Sequence, residues 1–550
     1  MLAWENFQFS GIIPSRRKKL LPKGYATIAH DVDLSHASLK SFLEPRFIKQ
    51  ADENAVYLYS WGCDLLTWNK CVSVAEWIPD CPRLFITGNA DYPQVITKEG
   101  DDLVYRRLGV LAPQNPPIAQ FSTAHGDEKD TDRSVAYMIT FVNNFGEEGG
   151  ASPPSNDVVI RDGEAVNLSF RYNPPFEYDI KKLRIYRRET GFRTGLEKEQ
   201  TMDTYWFFLT ELPIGTREWT DTMSITDIGW AFEHMDTREP PADLENITAL
   251  TETAILAGSV RNKVLFSHNL EPHNWELSQE LTLDDNVVAM GSLGNWLYVA
   301  TDGYPYRIQA DNGCDKMECR QVNKYLQPFP MINCHTGHGA VITPMGFVYA
   351  TTDGLVLLSE NNSTIITNDL FSQDDWRMLA PHTARLAYYK GALYCVTDKI
   401  SFILWLDTNT YADTKYKKLT TISDKPIDMV VNRQGELLLL QNDRKIEQWN
   451  AGDRLRPYKW QSSSIDLGFL FDLTRLRALV LNDYTTISII SRRTKISRRF
   501  PIGDWIIPFG RQGKQREFYI EAEGIGEISE ICAGLSEIDM SAREGQLSNG

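Results

Sequence analysis

The feature that most restricts the fold of this chain is a recurring hairpin. Leu297-Tyr298-Val299-Ala300-Thr301-Asp302-Gly303 and Val348-Tyr349-Ala350-Thr351-Thr352-Asp353-Gly354 are each an apolar strand that runs into a polar turn. Leu393-Tyr394-Cys395-Val396-Thr397-Asp398 and Leu438-Leu439-Leu440-Gln441-Asn442-Asp443 repeat the pattern. A second apolar strand follows the turn, as in Leu355-Val356-Leu357-Leu358 and Phe402-Ile403-Leu404-Trp405. The turn aspartates Asp302, Asp353, Asp398 and Asp443 are spaced by 51, 45 and 45 residues, and an earlier copy turns at Asn262, 40 residues before Asp302. A hairpin period of about 40–50 residues is the length of a β-propeller blade, a four-stranded sheet. Such a sheet cannot bury both faces alone, so copies must stack.

Five copies fall between residues 250 and 455. Upstream, Val56-Tyr57-Leu58-Tyr59 turning into Leu65-Leu66-Thr67-Trp68, and Arg83-Leu84-Phe85-Ile86-Thr87 before Gly88-Asn89, read as further hairpins. They are expected to complete the ring by pairing distant parts of the chain. Between these parts Pro113 and Pro116-Pro117 mark a linker. Beyond it lie short alternating strands such as Ala136-Tyr137-Met138-Ile139-Thr140-Phe141-Val142, Val166-Asn167-Leu168-Ser169-Phe170 and Trp206-Phe207-Phe208-Leu209-Thr210. Their span suits a fibronectin-like sandwich. The predicted fold is therefore all-β: a propeller with an inserted β-sandwich and a C-terminal β domain. The expected boundaries are 1–114 (propeller hairpins), 115–225 (sandwich), 226–455 (blades) and 456–550 (C-terminal domain).

Charge narrows the function. The chain of 550 residues carries a formal net charge of −16, the opposite of what a general phosphate-binding protein presents. No stretch approaches the ~18 apolar residues that span a bilayer, and the start, Met1-Leu2-Ala3-Trp4-Glu5-Asn6, lacks signal-peptide organisation. Synthesis in the cytoplasm, no membrane insertion and eight reduced cysteines are the expectation.

An ordered series of short motifs resembles the tail nozzle (tail tubular protein B-type) proteins of short-tailed bacteriophages. It begins with Gly11-Ile12-Ile13-Pro14 and Leu20-Leu21-Pro22-Lys23-Gly24-Tyr25-Ala26. It continues with Phe145-Gly146-Glu147-Glu148-Gly149, Ser152-Pro153-Pro154-Ser155 and Leu183-Arg184-Ile185-Tyr186-Arg187. Ile255-Leu256-Ala257-Gly258, Glu271-Pro272-His273-Asn274-Trp275 and Asp353-Gly354-Leu355-Val356 follow, and Phe500-Pro501-Ile502-Gly503 and Gly526-Glu527-Ile528-Ser529-Glu530-Ile531 close it. The resemblance implies a structural virion protein without enzymatic activity. It would form a homohexameric ring below the portal and adaptor, near tail fibre or tail spike proteins, and conduct genomic DNA without binding it specifically. An acidic lumen is the expected outcome of the net charge, because it repels phosphate and keeps the duplex near the axis. The competing readings are a propeller adhesin or receptor-binding protein of the phage surface and, behind it, a propeller glycosidase.

The constellations that could carry chemistry are few. Cys314, Cys319, Cys334, His335 and His338 supply soft and imidazole ligands within 25 residues, but not the tight Cys pairs of a structural zinc site. No metal, cofactor or catalytic residue is assigned. A glycosidase needs two carboxylates, or a tyrosine nucleophile, converging on a pocket, and no spacing proposes them. The Thr-Asp-Gly turns are read as turns capped by aspartate. Asp284-Asp285-Asn286 and Asp374-Asp375 lack the spaced oxygens of a calcium loop and are read as turn or cap residues. Two basic clusters interrupt the acidic background, Arg16-Arg17-Lys18-Lys19 and Arg492-Arg493-Lys495-Arg498-Arg499. They fit either solvated faces or pairing with an acidic neighbour.

Overall fold

A computed structural model describes residues 2–78, 82–123, 133–161, 164–190, 205–224, 227–276, 280–311, 316–322, 330–331, 338–360, 362–406, 418–511 and 513–534. The protein is all-β, with 54% of residues in strands and 3% in helix. Among the described residues the single α-helix is Gln373–Met378. Its N-cap Ser372 accepts the Asp375 N–H through Oγ at 3.1 Å, so Asp374 and Asp375 serve a helix start. No described helix is long and apolar enough to cross a membrane.

The chain divides into two compact units. The first comprises Met1–Cys71, Ala300–Tyr306 and Gln321–Gly550, the second Val72–Val299 and Arg307–Arg320. In the first, Ala340–Thr343, Gly346–Ala350, Leu355–Leu358 and Ser363–Ile365 form a four-stranded antiparallel meander. Arg385–Tyr389, Ala392–Val396, Ser401–Trp405 and Lys418–Thr421 form the next. Asp428–Val431, Leu437–Leu440 and Lys445–Gln448 form a third, which lacks a fourth strand in its own stretch of chain. Arg46–Gln50 supplies it, pairing Gln50 with Lys445 and Arg46 with Gln448.

These sheets stack face to face, which is why their middle strands are apolar on both sides rather than alternating. Leu393 and Cys395 face Val348, Ala350, Leu355 and Leu357 of the preceding sheet. The intervening Tyr394 and Val396 face Met429, Leu437 and Leu439 of the following one. Leu438 and Leu440 then cover Leu58 of the hairpin Tyr57–Trp61/Asp64–Trp68. One residue of register slip in such a strand would exchange both faces at once.

The turn at each repeat falls where the sequence places it: Asn262, Asp302, Asp353, Asp398 and Asp443 each lie between two consecutive strands. The cap is different from the expected one. Thr351 Oγ1 donates to the Gly354 carbonyl (2.9 Å) and accepts the Asp353 N–H (3.2 Å). Thr397 does the same with Ile400 and Lys399. The buried threonine ahead of the aspartate holds these turns, since its hydroxyl reaches both backbone groups and its methyl fills the core. At Asp443 the aspartate carboxylate itself accepts the Lys445 N–H, at 3.3 Å.

The C-terminal sheets belong to the same unit. Leu2–Asn6, Ile528–Gly534, Arg475–Val480 and Gly503–Pro508 make one layer. The other contains Tyr458–Ser462, Gln515–Gly524, Thr485–Ser491 and Lys495–Phe500, and continues through Ala26–His30. Leu476, Ala478, Val480 and Ile531 from the first layer pack on Trp460, Ile487, Ile489, Phe518 and Ile520 from the second. Phe9 meets Trp460 edge-on at 5.1 Å, and the Trp460 indole donates to the Ser10 carbonyl at 3.2 Å. The chain's first strands are thus part of the layers built by its last.

In the second unit, Ser73–Glu76, Arg83–Thr87, Gln94–Glu99 and Asp102–Arg107 form a meander that packs through Ala75, Phe85 and Val95 against the sheet holding Leu256, Leu265 and Trp275. The sandwich has a three-stranded sheet (Ile118–Thr123, Ala165–Ser169, Glu218–Asp221) and a four-stranded one (Val158–Ile160, Arg133–Asn143, Ile180–Thr190, Phe207–Pro213). Val135, Tyr137, Ile139 and Phe141 face its core, while Ala136 and Met138 on the opposite side are covered by Tyr186, Trp206 and Phe232.

Candidate functional site

The densest polar construction in the second unit grows from one loop after the strand Arg133–Asn143. Asn143 Oδ1 accepts the N–H groups of Phe145 (2.9 Å) and Glu147 (3.0 Å), and its amide donates to Glu147 Oε2 at 2.8 Å. This side-chain-to-backbone turn fixes the loop, with Gly146 at φ 79°. Gly149 passes so close to the Val110 carbonyl oxygen that a Cβ would lie 2.5 Å from it. Held this way, the two carboxylates have separate partners. Glu147 takes Arg83 Nη1 at 2.5 Å and lies 3.6 Å from His273 Nδ1. Glu148 takes Arg184 Nη1 at 2.6 Å, the Tyr186 hydroxyl at 2.7 Å and the Thr140 hydroxyl.

Phe145 lies between two cations. Arg83 is 5.0 Å and Arg106 5.6 Å from its ring centroid. Arg106 also donates to Thr97 Oγ1 (2.8 Å) and pairs with Glu99 (2.5 Å) and Asp179 (2.9 Å). A cleft of ≈ 450 Å³ opens here, lined by Arg83, Lys98, Phe145, Glu147, Pro272 and His273. Beside it Glu271 accepts the Asn274 amide at 2.9 Å and lies 3.4 Å from His234 and 3.6 Å from His268. Motifs from distant parts of the sequence, Phe145-Gly146-Glu147-Glu148-Gly149, Leu183-Arg184-Ile185-Tyr186-Arg187 and Glu271-Pro272-His273-Asn274-Trp275, are therefore joined by direct contacts. Each loop carboxylate is bound to a guanidinium, and the arrangement is that of a latch.

Burial holds the His273 imidazole below its ordinary pKa, against the pull of Glu147 and Glu271 and with the help of His234 and Arg83. The folded pKa is depressed, so the unfolded chain takes up a proton that the folded one refuses once pH falls through about 6.5. Stability from this site is expected in full above that pH and to decline below it. His273→Gln should flatten the melting temperature between pH 7.5 and 5.5 relative to wild type. An unchanged slope would show that His273 is not the group responsible. Asp179 and Glu211, both held low against the opposing cost of burial by hydrogen bonds from Lys181 and Arg106 and from Lys182 and Arg184, act only at lower pH.

A second buried network crosses the sandwich. Arg187 Nη1 reaches Asp221 at 2.7 Å and the Met223 carbonyl at 3.0 Å, while Nη2 meets Glu189 at 2.7 Å. The Tyr137 hydroxyl donates to Asp221 at 2.8 Å, and burial followed by the charge of Asp221 pushes that phenol's pKa up. Sequence reasoning did not single out this network. Its signal was parity: Leu183, Ile185, Arg187 and Glu189 share one face of their strand, so a charged pair continues an apolar row.

Of the cysteine–histidine candidate, Cys319 and His338 lie among the described residues. Cys314, Cys334 and His335 lie outside the described residues, and Cys319 is exposed. His338 is otherwise engaged: Nδ1 is 2.6 Å from Asp428 Oδ1, and the ring stacks on Tyr57 with centroids 4.4 Å apart. The buried Asp428 also accepts the Leu58 N–H at 2.7 Å, tying the third meander to the neighbouring hairpin. Among the described residues no group of three or more His, Cys, Asp or Glu is placed to hold a metal ion. Of the basic clusters, Lys19 pairs with Glu517 (2.9 Å) and Lys495 with Glu521 (2.6 Å), while Arg16, Arg17, Arg492, Arg493, Arg498 and Arg499 are exposed.

No protein-family model matches the chain, and no curated protein matches it.

Proposed function

We propose that the chain is a structural subunit of a phage tail nozzle, a ring through which genomic DNA passes, and that it turns over no substrate. The observation that carries the reading is the meeting of the motifs that resemble that family. The Glu147-Glu148 loop, the Arg184-Tyr186 strand and the Pro272-His273 segment touch one another, although they lie far apart in sequence. Stacked four-stranded meanders and a third meander completed by Arg46–Gln50 support a propeller as the finer architecture. In that architecture an early strand closes the circle by pairing with the last blade. Carboxylates tied to guanidiniums suit a structural part, because they link separate elements.

The test is electron cryo-microscopy of the virion and of the purified chain. The expected result is a six-fold ring coaxial with the portal and an acidic lumen. Peripheral trimers would favour the adhesin reading, and a continuous basic lumen would remove the charge argument. Saturable polysaccharide hydrolysis that is lost on mutating a carboxylate would overturn the proposal.

A further inference from the structure

One end of the C-terminal layers gathers apolar side chains and cations from separate stretches of chain. The strand Ile465–Phe471 pairs Asp466 with Glu517 and Phe471 with Gln515, so residues 467–470 stand opposite Arg516 alone and loop outward. Gly468 turns that loop at φ 80°, and Asp466 Oδ1 accepts its N–H at 2.8 Å. Phe469 is 49% exposed and Leu470 63%. The Phe469 ring rests on Phe471 at 6.0 Å, and Phe471 is itself buried against Phe518 at 4.8 Å. On the other side of Gln515–Gly524, Ser491 pairs with Phe518, and the Arg492 N–H donates to Gln515 Oε1 at 3.2 Å. The turn carrying Arg492 and Arg493 is therefore level with the loop. Lys19 reaches Glu517 at 2.9 Å, which brings the 3-10 turn Lys18–Leu20 to the same end, with Leu20 69% exposed. The two basic clusters of the sequence, more than 470 residues apart, thus meet here. Lys18, Lys19, Arg492, Arg493, Lys514 and Arg516 are all exposed. Fewer carboxylates stand among them: Glu517 is bound by Lys19, Asp466 lies 3.2 Å from Arg516, and Asp472 is half-buried.

We propose that this end of the layers is a peripheral contact site for an anionic lipid bilayer. Such a surface asks for two things at once: apolar side chains that enter the boundary of the acyl chains, and cations that stay at the level of the phosphates. Phe469 and Leu470 on an outward loop meet the first demand, and Leu20 adds to it. The surrounding lysines and arginines meet the second, because this end is locally basic although the chain as a whole is acidic. Phe471 and Gly468 fix the loop in the free chain, so little conformational entropy is lost on contact. Duplex DNA offers the same phosphates but no apolar medium for Leu470, Leu20 and Phe469, and is the poorer match. The contact is shallow and needs no spanning segment. It stands on the geometry of this end alone and does not rest on the ring reading.

Co-flotation of the full chain with vesicles tests it. Wild type is expected to float with phosphatidylglycerol–phosphatidylcholine vesicles, to stay behind with pure phosphatidylcholine, and to be released by high salt. Phe469→Ser/Leu470→Ser should weaken the partition by roughly 10-fold or more, the inserting groups being lost. Arg492→Gln/Arg493→Gln should weaken it by a similar factor, since each cation near an anionic surface contributes. All four positions are exposed, so both variants should keep wild-type circular dichroism and melting. Ile502→Ser is the control, an apolar residue 61% exposed beyond Gly503 at the opposite end of the layers, and should float as wild type does. Absence of wild-type flotation with anionic vesicles would overturn the inference, as would unchanged flotation of the Phe469/Leu470 variant. Duplex DNA binding or self-association that is lost in these variants, without any vesicle binding by wild type, would reassign the surface to nucleic acid or to a second copy.

Discussion

Replacing Arg187 with alanine is expected to cost the sandwich about 3–5 kcal/mol, the range for stripping one partner from a buried ion pair. Asp221 and Glu189 are 2% and 6% exposed, and the alanine would leave Asp221 buried without its cation and Glu189 with Arg133 at 3.8 Å. The corresponding drop in the melting temperature of that transition exceeds about 10 °C. Arg187→Met combined with Asp221→Asn should recover part of the loss, because it removes the charge together with its partner. The contrast between the two variants separates buried charge from lost packing. Differential scanning calorimetry decides. A loss below about 1 kcal/mol for Arg187→Ala would mean that the carboxylates find water or protonate, and that the network is dispensable.

A larger effect is expected from removing residues 1–50. That deletion takes Leu2–Asn6 from one C-terminal layer, Ala26–His30 from the other and Arg46–Gln50 from the third meander. It also removes Phe9, Ala26, Ala29, Val32, Leu34 and Leu39 from a single core. Truncating one buried large side chain costs about 2–5 kcal/mol, while a domain's whole stability is about 5–15 kcal/mol. The exposed strands would in addition be open to pairing between molecules. The truncated chain should therefore be recovered in inclusion bodies, or show no cooperative melting if soluble. A soluble protein with a wild-type melting transition would show that the early strands are accessory.

Some of this was legible from the residues. The hairpin recurrence located the five turns at Asn262, Asp302, Asp353, Asp398 and Asp443, because an apolar strand broken by Thr, Asp, Asn and Gly has few other ways to fold. The apolar middle strands announced that both their faces are covered. The Asn143-Asn144-Phe145-Gly146-Glu147 segment was visible as a loop, since Asn and Gly there favour a tight turn. The threonine caps were hidden for a definable reason. The capping threonine and the aspartate sit within two residues of each other in these turns, and which of them reaches the backbone depends on which one the packed core buries.

Local sequence thus determined the all-β class, the turns and the strand faces, since each depends on neighbours within a few residues. Only the tertiary structure decided the partners. His338 meets Asp428 and Tyr57, because ring stacking and a charge-assisted hydrogen bond are set by which strands pack. Arg46–Gln50 completes a meander almost 400 residues later in the chain, and Glu147 meets Arg83 and His273 from separate strands. Alternation tells which way a side chain points, but it carries no information about what stands opposite. Pairing across hundreds of residues is settled by the burial and charge balance of the whole fold.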